Sequence, residues 1–152
     1  MSVSVILPTL NAAGEIAALL AALMDQTQPP EEILVVDSGS TDGTAELARA
    51  HGARVMSIPR GQFDHGGTRD AALRQTAGEF VLFLTQDALP ADECYIEHLL
   101  KPFADERVAA ASGRQLPRSD ARPYVRAVQQ YRYPAQSRVW GAEDRQALGI
   151  RA

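Results

Sequence analysis

Four short β-rich runs, each cut off by a proline or a polar residue, constrain this chain more than any other feature. Val3–Leu7 stops at Pro8, Ile33–Val36 at Asp37, Arg54–Ile58 before Pro59, and Phe80–Leu84 at Thr85. Each is too short for an independent helix and reads as a strand, with Phe80–Leu84 the clearest of the four. Between the first two, Ile16, Leu19, Leu20, Leu23 and Met24 recur at helical spacing and make one apolar face, with Asn11 in a position to cap the helix. Ser38–Thr44 is turn chemistry: Ser40 or Thr41 caps a helix through about Ala50, and Gly52 lies just past its end. A short helix is expected around Thr68–Thr76, closed by Gly78. Another opens at Pro90, with Ile96, Leu99, Leu100 and Phe103 on one face. Val108–Ser112 reads as a weaker fifth strand. Strands alternating with helices at this spacing predict an α/β fold, a mostly parallel, Rossmann-like sheet flanked by helices.

At 152 residues the chain suits one domain better than two. The periodic part, residues 1–113, forms the expected α/β body. Residues 114–152, rich in Arg, Pro, Gln and Tyr, read as an irregular extension with one helix near Tyr124–Tyr131. Charge divides similarly. Residues 1–106 carry six Lys/Arg against sixteen Asp/Glu, a balance of −10, whereas residues 107–152 carry nine Arg against three acids, a balance of +6. Such a basic stretch suits phosphates or an anionic membrane face, and equally a solvated surface. The single cysteine, Cys94, excludes an intramolecular disulfide framework and a cysteine-based zinc site. No apolar run approaches the roughly 18 residues of a membrane span, and Met1–Ser4 does not open a signal peptide. A soluble, cytoplasmic protein is therefore expected.

In open parallel sheets, ligands bind beyond the carboxyl ends of the strands. Pro8, Thr9 and Asn11 follow the first strand, Asp37, Ser38 and Gly39 the second, and Thr85, Gln86 and Asp87 the run Phe80–Leu84. Two carboxylates and several hydroxyls at one edge suit a nucleotide or sugar phosphate. Taken singly, Asp37 is as compatible with capping a turn and Asp87 with preceding a helix. The stretch Phe63-Asp64-His65-Gly66-Gly67-Thr68-Arg69-Asp70 adds two glycines that let a ligand approach the backbone. Arg69 there can pair with a phosphate, and His65 can donate to a phosphate or sugar oxygen. No Gly-x-Gly-x-x-Gly follows the first strand and no P-loop is present, since Lys101 is the sole lysine. His51, His65 and His98 lack metal-hydrolase spacing.

Three segments together resemble the family 2 glycosyltransferases of GT-A fold: Val3–Asn11, Val35–Thr44 and Gly78–Ala88. The run Asp37-Ser38-Gly39-Ser40-Thr41-Asp42-Gly43-Thr44 is the most specific of them. Phe63–Arg69, Thr85–Ala88 and Gly113–Arg118 resemble more narrowly a bacterial rhamnosyltransferase branch. The resemblance implies that Pro8 and Thr9 border the base and ribose of a nucleotide sugar, that Asp37 hydrogen-bonds the base or ribose, and that Arg69 faces the base or diphosphate. It implies that Asp87 fills the last position of a metal-binding Asp-x-Asp element, with Mg²⁺ or Mn²⁺ as cofactor. Thr85-Gln86-Asp87 departs from that element by leaving one carboxylate where two are common.

The implied activity is inverting transfer of a sugar, rhamnose from dTDP-rhamnose, to a glycan or lipid-linked acceptor. Peripheral contact with the inner face of the membrane is expected, and no nucleic-acid partner. The family is usually about twice this length, and its acceptor-binding half carries the catalytic base. The chain is therefore expected to be a donor-binding N-terminal portion that is inactive by itself. The Glu143-Asp144 pair is not assigned as that base. The rival reading is a non-catalytic or signalling domain, such as a receiver phosphorylated on Asp37. That reading wants further acids after the first strand, where this chain has Pro8-Thr9-Leu10-Asn11.

Overall fold

The structure is a computed structural model that describes residues 1–117, 119–133 and 135. The chain divides into two compact units, Met1–Ala111 and Ser112–Ala152. In the first, β1 (Val3–Thr9), β2 (Glu32–Asp37), β3 (Arg54–Ser57) and β4 (Phe80–Phe83) form one sheet in the order β3-β2-β1-β4. Every pairing is parallel, with Thr9 opposite Asp37 and Ile6 opposite Phe83. The helices are α1 (Ile16–Met24), α2 (Thr44–Ala50), α3 (His65–Leu73) and α4 (Tyr95–Leu100), with short 3₁₀ turns at Arg60–Gln62 and Lys101–Ala104. The expected α/β sheet is therefore observed.

The two central strands read as continuous apolar runs because both their faces are covered. On one face Val3, Val5, Leu7, Ile33 and Val35 pack with Ile16, Leu19, Leu20 and Leu23 of α1, Ala48 of α2, and Ile96 and Leu100 of α4. On the other, Ile6, Leu34 and Val36 meet Ala72 of α3, with Met56, Ile58 and Val81 beside them. Met24, expected on the apolar face of α1, is 52% exposed, since it ends the helix at the margin of the stripe.

Three other expectations are corrected. Asn11 does not cap α1; it takes a left-handed φ of 50°, and Glu15 precedes the helix. The helix expected from Pro90 begins only at Tyr95. Residues 92–93 are held instead by the turn after α1: Gln26 Nε2 donates to the Asp92 carbonyl at 2.8 Å, and Thr27 N to the Glu93 carbonyl at 2.8 Å. Residues 108–112 form no strand: Ala109, Ala110, Ala111 and Ser112 are exposed and pair with nothing among the described residues. Three consecutive alanines offer little side chain to pack on a pleated surface. In the second unit α5 spans Pro123–Arg132, and Tyr124 and Tyr131 are exposed. Glu143 and Asp144 lie outside the described residues.

At the opposite edge from the strand ends that concern function, Glu32 ties four segments together. Its Oε1 accepts from Ser4 Oγ at 2.7 Å and from Ala77 N at 2.7 Å, and its Oε2 accepts from Arg54 Nη1 at 2.7 Å. The Ser4 hydroxyl first, then the Ala77 amide and Arg54, hold the carboxyl below the ordinary glutamate value of 4.5. A depressed carboxyl contributes stability above its unfolded pKa and loses it as pH falls through the folded one. Between about pH 6 and pH 3 the melting temperature should therefore fall, and Glu32→Gln should flatten that fall. Thermal melts of both proteins across this range check it. Parallel curves would mean that Glu32 is no acid-sensitive tie.

Candidate functional site

Because all four strands run the same way, Thr9, Asp37 and the segment after Phe83 emerge at one edge of the sheet. The edge begins with a buried pair. Thr9 Oγ1 donates to Asp37 Oδ1 at 3.4 Å, and both residues are almost inaccessible, Thr9 at 2% and Asp37 at 4%. Asp37 accepts three more bonds: Ser40 Oγ at 2.5 Å on Oδ1, with Gly39 N at 3.2 Å and Ser40 N at 3.0 Å on Oδ2. Ser38 turns back on Thr9, both its amide and its hydroxyl donating to the Thr9 carbonyl. Gly39 has φ 85°, which a side chain would strain, and a Cβ there would lie 3.6 Å from Arg60. Arg60 thus stands at this edge too.

The loops after β1 and β2 are zipped together. Asn11 N donates to Ser40 Oγ at 2.8 Å, Ala12 N to Thr44 Oγ1 at 2.8 Å, and Ala13 N to Asp42 Oδ2 at 2.9 Å. In return Thr41 N donates to Asn11 Oδ1 at 3.0 Å. Thr44 N and Oγ1 both donate to Asp42 Oδ1, and the Thr44 hydroxyl together with the Ala13 amide holds that carboxyl below the usual aspartate range. The turn from Ser40 to Thr44 therefore works mainly as scaffold. Neither Ser40 nor Thr41 caps α2: Gly43, at φ 90°, precedes it.

After β4, Leu84 N donates to the Ile6 carbonyl at 3.1 Å, and residues 85–88 turn, with Ala88 N donating to the Thr85 carbonyl at 3.0 Å. Gln86 reaches across to β1: its Oε1 accepts from Leu10 N at 2.8 Å, and its Nε2 donates to the Leu10 carbonyl at 3.3 Å. Asp87 is exposed. Among the described residues no three His, Cys, Asp or Glu side chains converge on a metal-sized space. A divalent ion here would draw on one carboxylate, Asp87. That donor set fits Mg²⁺ or Mn²⁺ only if diphosphate oxygens and water complete the shell, the arrangement Mg²⁺ commonly adopts.

The connection from β3 also leaves at this edge and leads into α3, which packs on β1 and β2. The helix starts three residues earlier than expected because Asp64 caps it, accepting from Gly67 N, while Asp64 N donates to Thr68 Oγ1 at 3.2 Å. His65 and Arg69, one turn apart, meet: Arg69 Nη1 donates to the His65 carbonyl at 2.9 Å and lies 3.4 Å from its Nδ1. Phe63 stands edge-on to the His65 ring at 5.0 Å. Pro8 pairs with Val36 in the register and is half-buried. The structure joins Thr9 with Asp37, Gln86 with the β1 exit, and His65 with Arg69.

Comparison with known proteins decides the family. The family model for glycosyl transferase family 2 matches residues 4–150. The chain belongs to glycosyl transferase family 2. Among family 2 relatives, the O-antigen chain rhamnosyltransferase RfbN of Salmonella typhimurium is 38% identical over 99% of this chain and 49% of its own length. The O-antigen chain rhamnosyltransferase WbaN of Salmonella anatum is 36% identical over 99% of this chain and 48% of its own. The chain thus spans about half the length of the curated relatives it matches. Glucosyl-3-phosphoglycerate synthase from Mycobacterium tuberculosis, solved with Mn²⁺, UDP and glucosyl-3-phosphoglycerate, superposes with a TM-score of 0.57 at 30% identity, covering 67% of this chain and 39% of that one. The GT-A-like fold expected from the sequence is confirmed. The receiver reading fails on the family match.

Proposed function

We propose that this chain is the donor-binding part of an inverting glycosyltransferase that moves rhamnose from dTDP-rhamnose to a glycan or lipid-linked acceptor. The observation that carries the reading is the single sheet edge that bears the Thr9–Asp37 pair, the Gln86-anchored turn and exposed Asp87. The O-antigen rhamnosyltransferases among the relatives support the choice of sugar.

In this reading Pro8 and Thr9 line the nucleoside, and Asp37 accepts from its base or ribose. Arg69, with His65 beside it, neutralises diphosphate charge, and Asp87 lies along the diphosphate on the turn that Gln86 anchors. A divalent cation held by Asp87 would offset the charge that develops on the leaving nucleoside diphosphate. The acceptor hydroxyl, deprotonated by a carboxylate base, attacks the anomeric carbon from the face opposite the departing diphosphate. No acceptor base is assigned here, because both strand-end acids serve the donor. Arg122, just before α5, and Arg126 and Arg132 within it, interleaved with exposed Tyr124 and Tyr131, suit peripheral contact with an anionic membrane on the cytoplasmic side.

Calorimetry with dTDP and UDP, with and without Mn²⁺, tests the reading. Both nucleotides should bind, and Mn²⁺ should tighten them. Asp87→Asn should keep the metal-free affinity and lose the metal-dependent gain. A folded protein that binds neither nucleotide at millimolar concentration would sink the proposal.

A further inference from the structure

The β4 end of the site poses a mechanical problem. Strand β1 runs to Thr9, but its pairing with β4 stops at Ile6 opposite Phe83, and one more backbone bond, from Leu84 N, ends the ladder. The turn that carries Asp87 therefore leaves the sheet without backbone support from β1. Among the described residues, Asp87 is exposed and joins no cluster of metal-ligating side chains. Its place must be set by something adjacent.

The adjacent residue supplies it. One amide, on Gln86, bonds both the N–H and the C=O of Leu10, at 2.8 and 3.3 Å. The backbone of a neighbouring strand meets a residue's N–H and C=O with the same kind of two-point contact. We infer that Gln86 is a positioning residue: it splices the Asp87 turn onto the exit of β1 and so sets where the Asp87 carboxylate meets the donor's diphosphate. This rests on the donor-site reading above.

The residue type fits the task. An amide offers a donor and an acceptor at one end, which a two-point contact with one residue's backbone requires. Asparagine would fall a methylene short. Glutamate would lose the donor to the Leu10 carbonyl and set a negative charge against that oxygen. The clamp also matters more here than it would beside two acids. With Thr85 and Gln86 neutral, Asp87 is the one carboxylate of the Thr85–Asp87 segment, so a misplaced Asp87 has no neighbour to compensate.

The test uses the whole 152-residue chain and Gln86→Met, which keeps the length of the side chain and removes both hydrogen bonds. Calorimetry with dTDP, with and without Mn²⁺, is read beside the melting temperature. Gln86→Met should lose about thirtyfold of the metal-dependent gain, the worth of two ordinary hydrogen bonds. Its metal-free dTDP affinity should stay within about twofold of wild type, because the Thr9–Asp37 end of the site is untouched. A Gln86→Met protein with the full metal-dependent gain would overturn the inference, and so would a parallel loss of affinity with and without metal. If the wild type itself lacked a metal-dependent gain, the donor-site reading would fall and take this inference with it. Amide exchange adds a measurement on the wild type that needs no variant. Leu10 N–H should be protected, and more so with Mn²⁺ and dTDP bound; exchange as fast as in a free loop would overturn the clamp even if Gln86→Met failed to fold.

Discussion

Gly78→Ala should destabilise this protein more than a methyl added at Gly14, Gly39, Gly43, Gly52, Gly61, Gly66 or Gly67. A Cβ at Gly78 would lie 2.5 Å from Ser4 Oγ, 2.6 Å from Ser4 N and 3.0 Å from the Phe80 carbonyl. The serine hydroxyl could rotate, but it is already committed to Glu32, and it accepts from Gly78 N at 2.8 Å. The Ser4 amide cannot move. It belongs to β1, where Ser4 is fully buried and pairs with Glu32 on one side and Val81 on the other. The methyl therefore pushes β4 off β1 at the start of their ladder. Overpacking against fixed backbone costs about 3 kcal/mol, a large share of the 5–15 kcal/mol that keeps an ordinary domain folded. The melting temperature should drop by on the order of 10 °C. Two further glycines calibrate the result. Gly14→Ala meets nothing within 4 Å and should be near neutral. Gly52→Ala also has open space but sits at φ 83°, and should lose about 1 kcal/mol to backbone strain. A Gly78→Ala protein as stable as Gly14→Ala would show that the β1–β4 start is looser than its geometry implies.

The parts of this fold that could be read from sequence are those decided by local pattern. The strands were legible because β1 and β2 are covered on both faces, so their residues run apolar without interruption. Even there, Pro8 misleads. It stops the expected strand, yet β1 continues through it to Thr9, past the last pair with β4, where only β2 remains as neighbour. What local pattern could not supply was long-range pairing. Asn11 has the composition of a helix cap, but its partner is the Thr41 amide, and Ser40, Asp42 and Thr44 each meet a β1-exit amide. The same turn residues serve either role, and only the sheet register decides which. Gln86 was legible as a strand-end polar residue beside Asp87, while its bond to Leu10 spans a crossover that no periodicity reports. Arg60 carried no motif at all; its place beside Gly39 comes from the path of the chain after β3.

Asp37→Ala should weaken nucleoside binding by about 1–3 kcal/mol, with or without metal, and should cost stability of similar size. Both losses have one origin, a carboxylate that is 4% exposed and accepts from Thr9, Gly39 and twice from Ser40. Removing it leaves those donors facing an apolar methyl. Water can replace the bond to exposed Gly39, but not the one to buried Thr9. The affinity loss admits two explanations: Asp37 accepts directly from base or ribose, or it merely holds the 38–40 turn in place. Ser40→Ala separates them. It removes the hydroxyl that donates to Asp37 and accepts from Asn11 N, and so loosens the turn, while the carboxylate stays. Direct contact requires Ser40→Ala to lose stability yet keep its metal-free nucleotide affinity, since the freed Asp37 oxygen remains available to the ligand. Asp37→Asn, with one acceptor oxygen left, should fall between the two. Chemical denaturation paired with calorimetry reads both quantities on each protein. Equal affinity losses in Ser40→Ala and Asp37→Ala would reduce Asp37 to a turn organiser and leave the nucleoside to Thr9, Arg60 and the backbone of the turn.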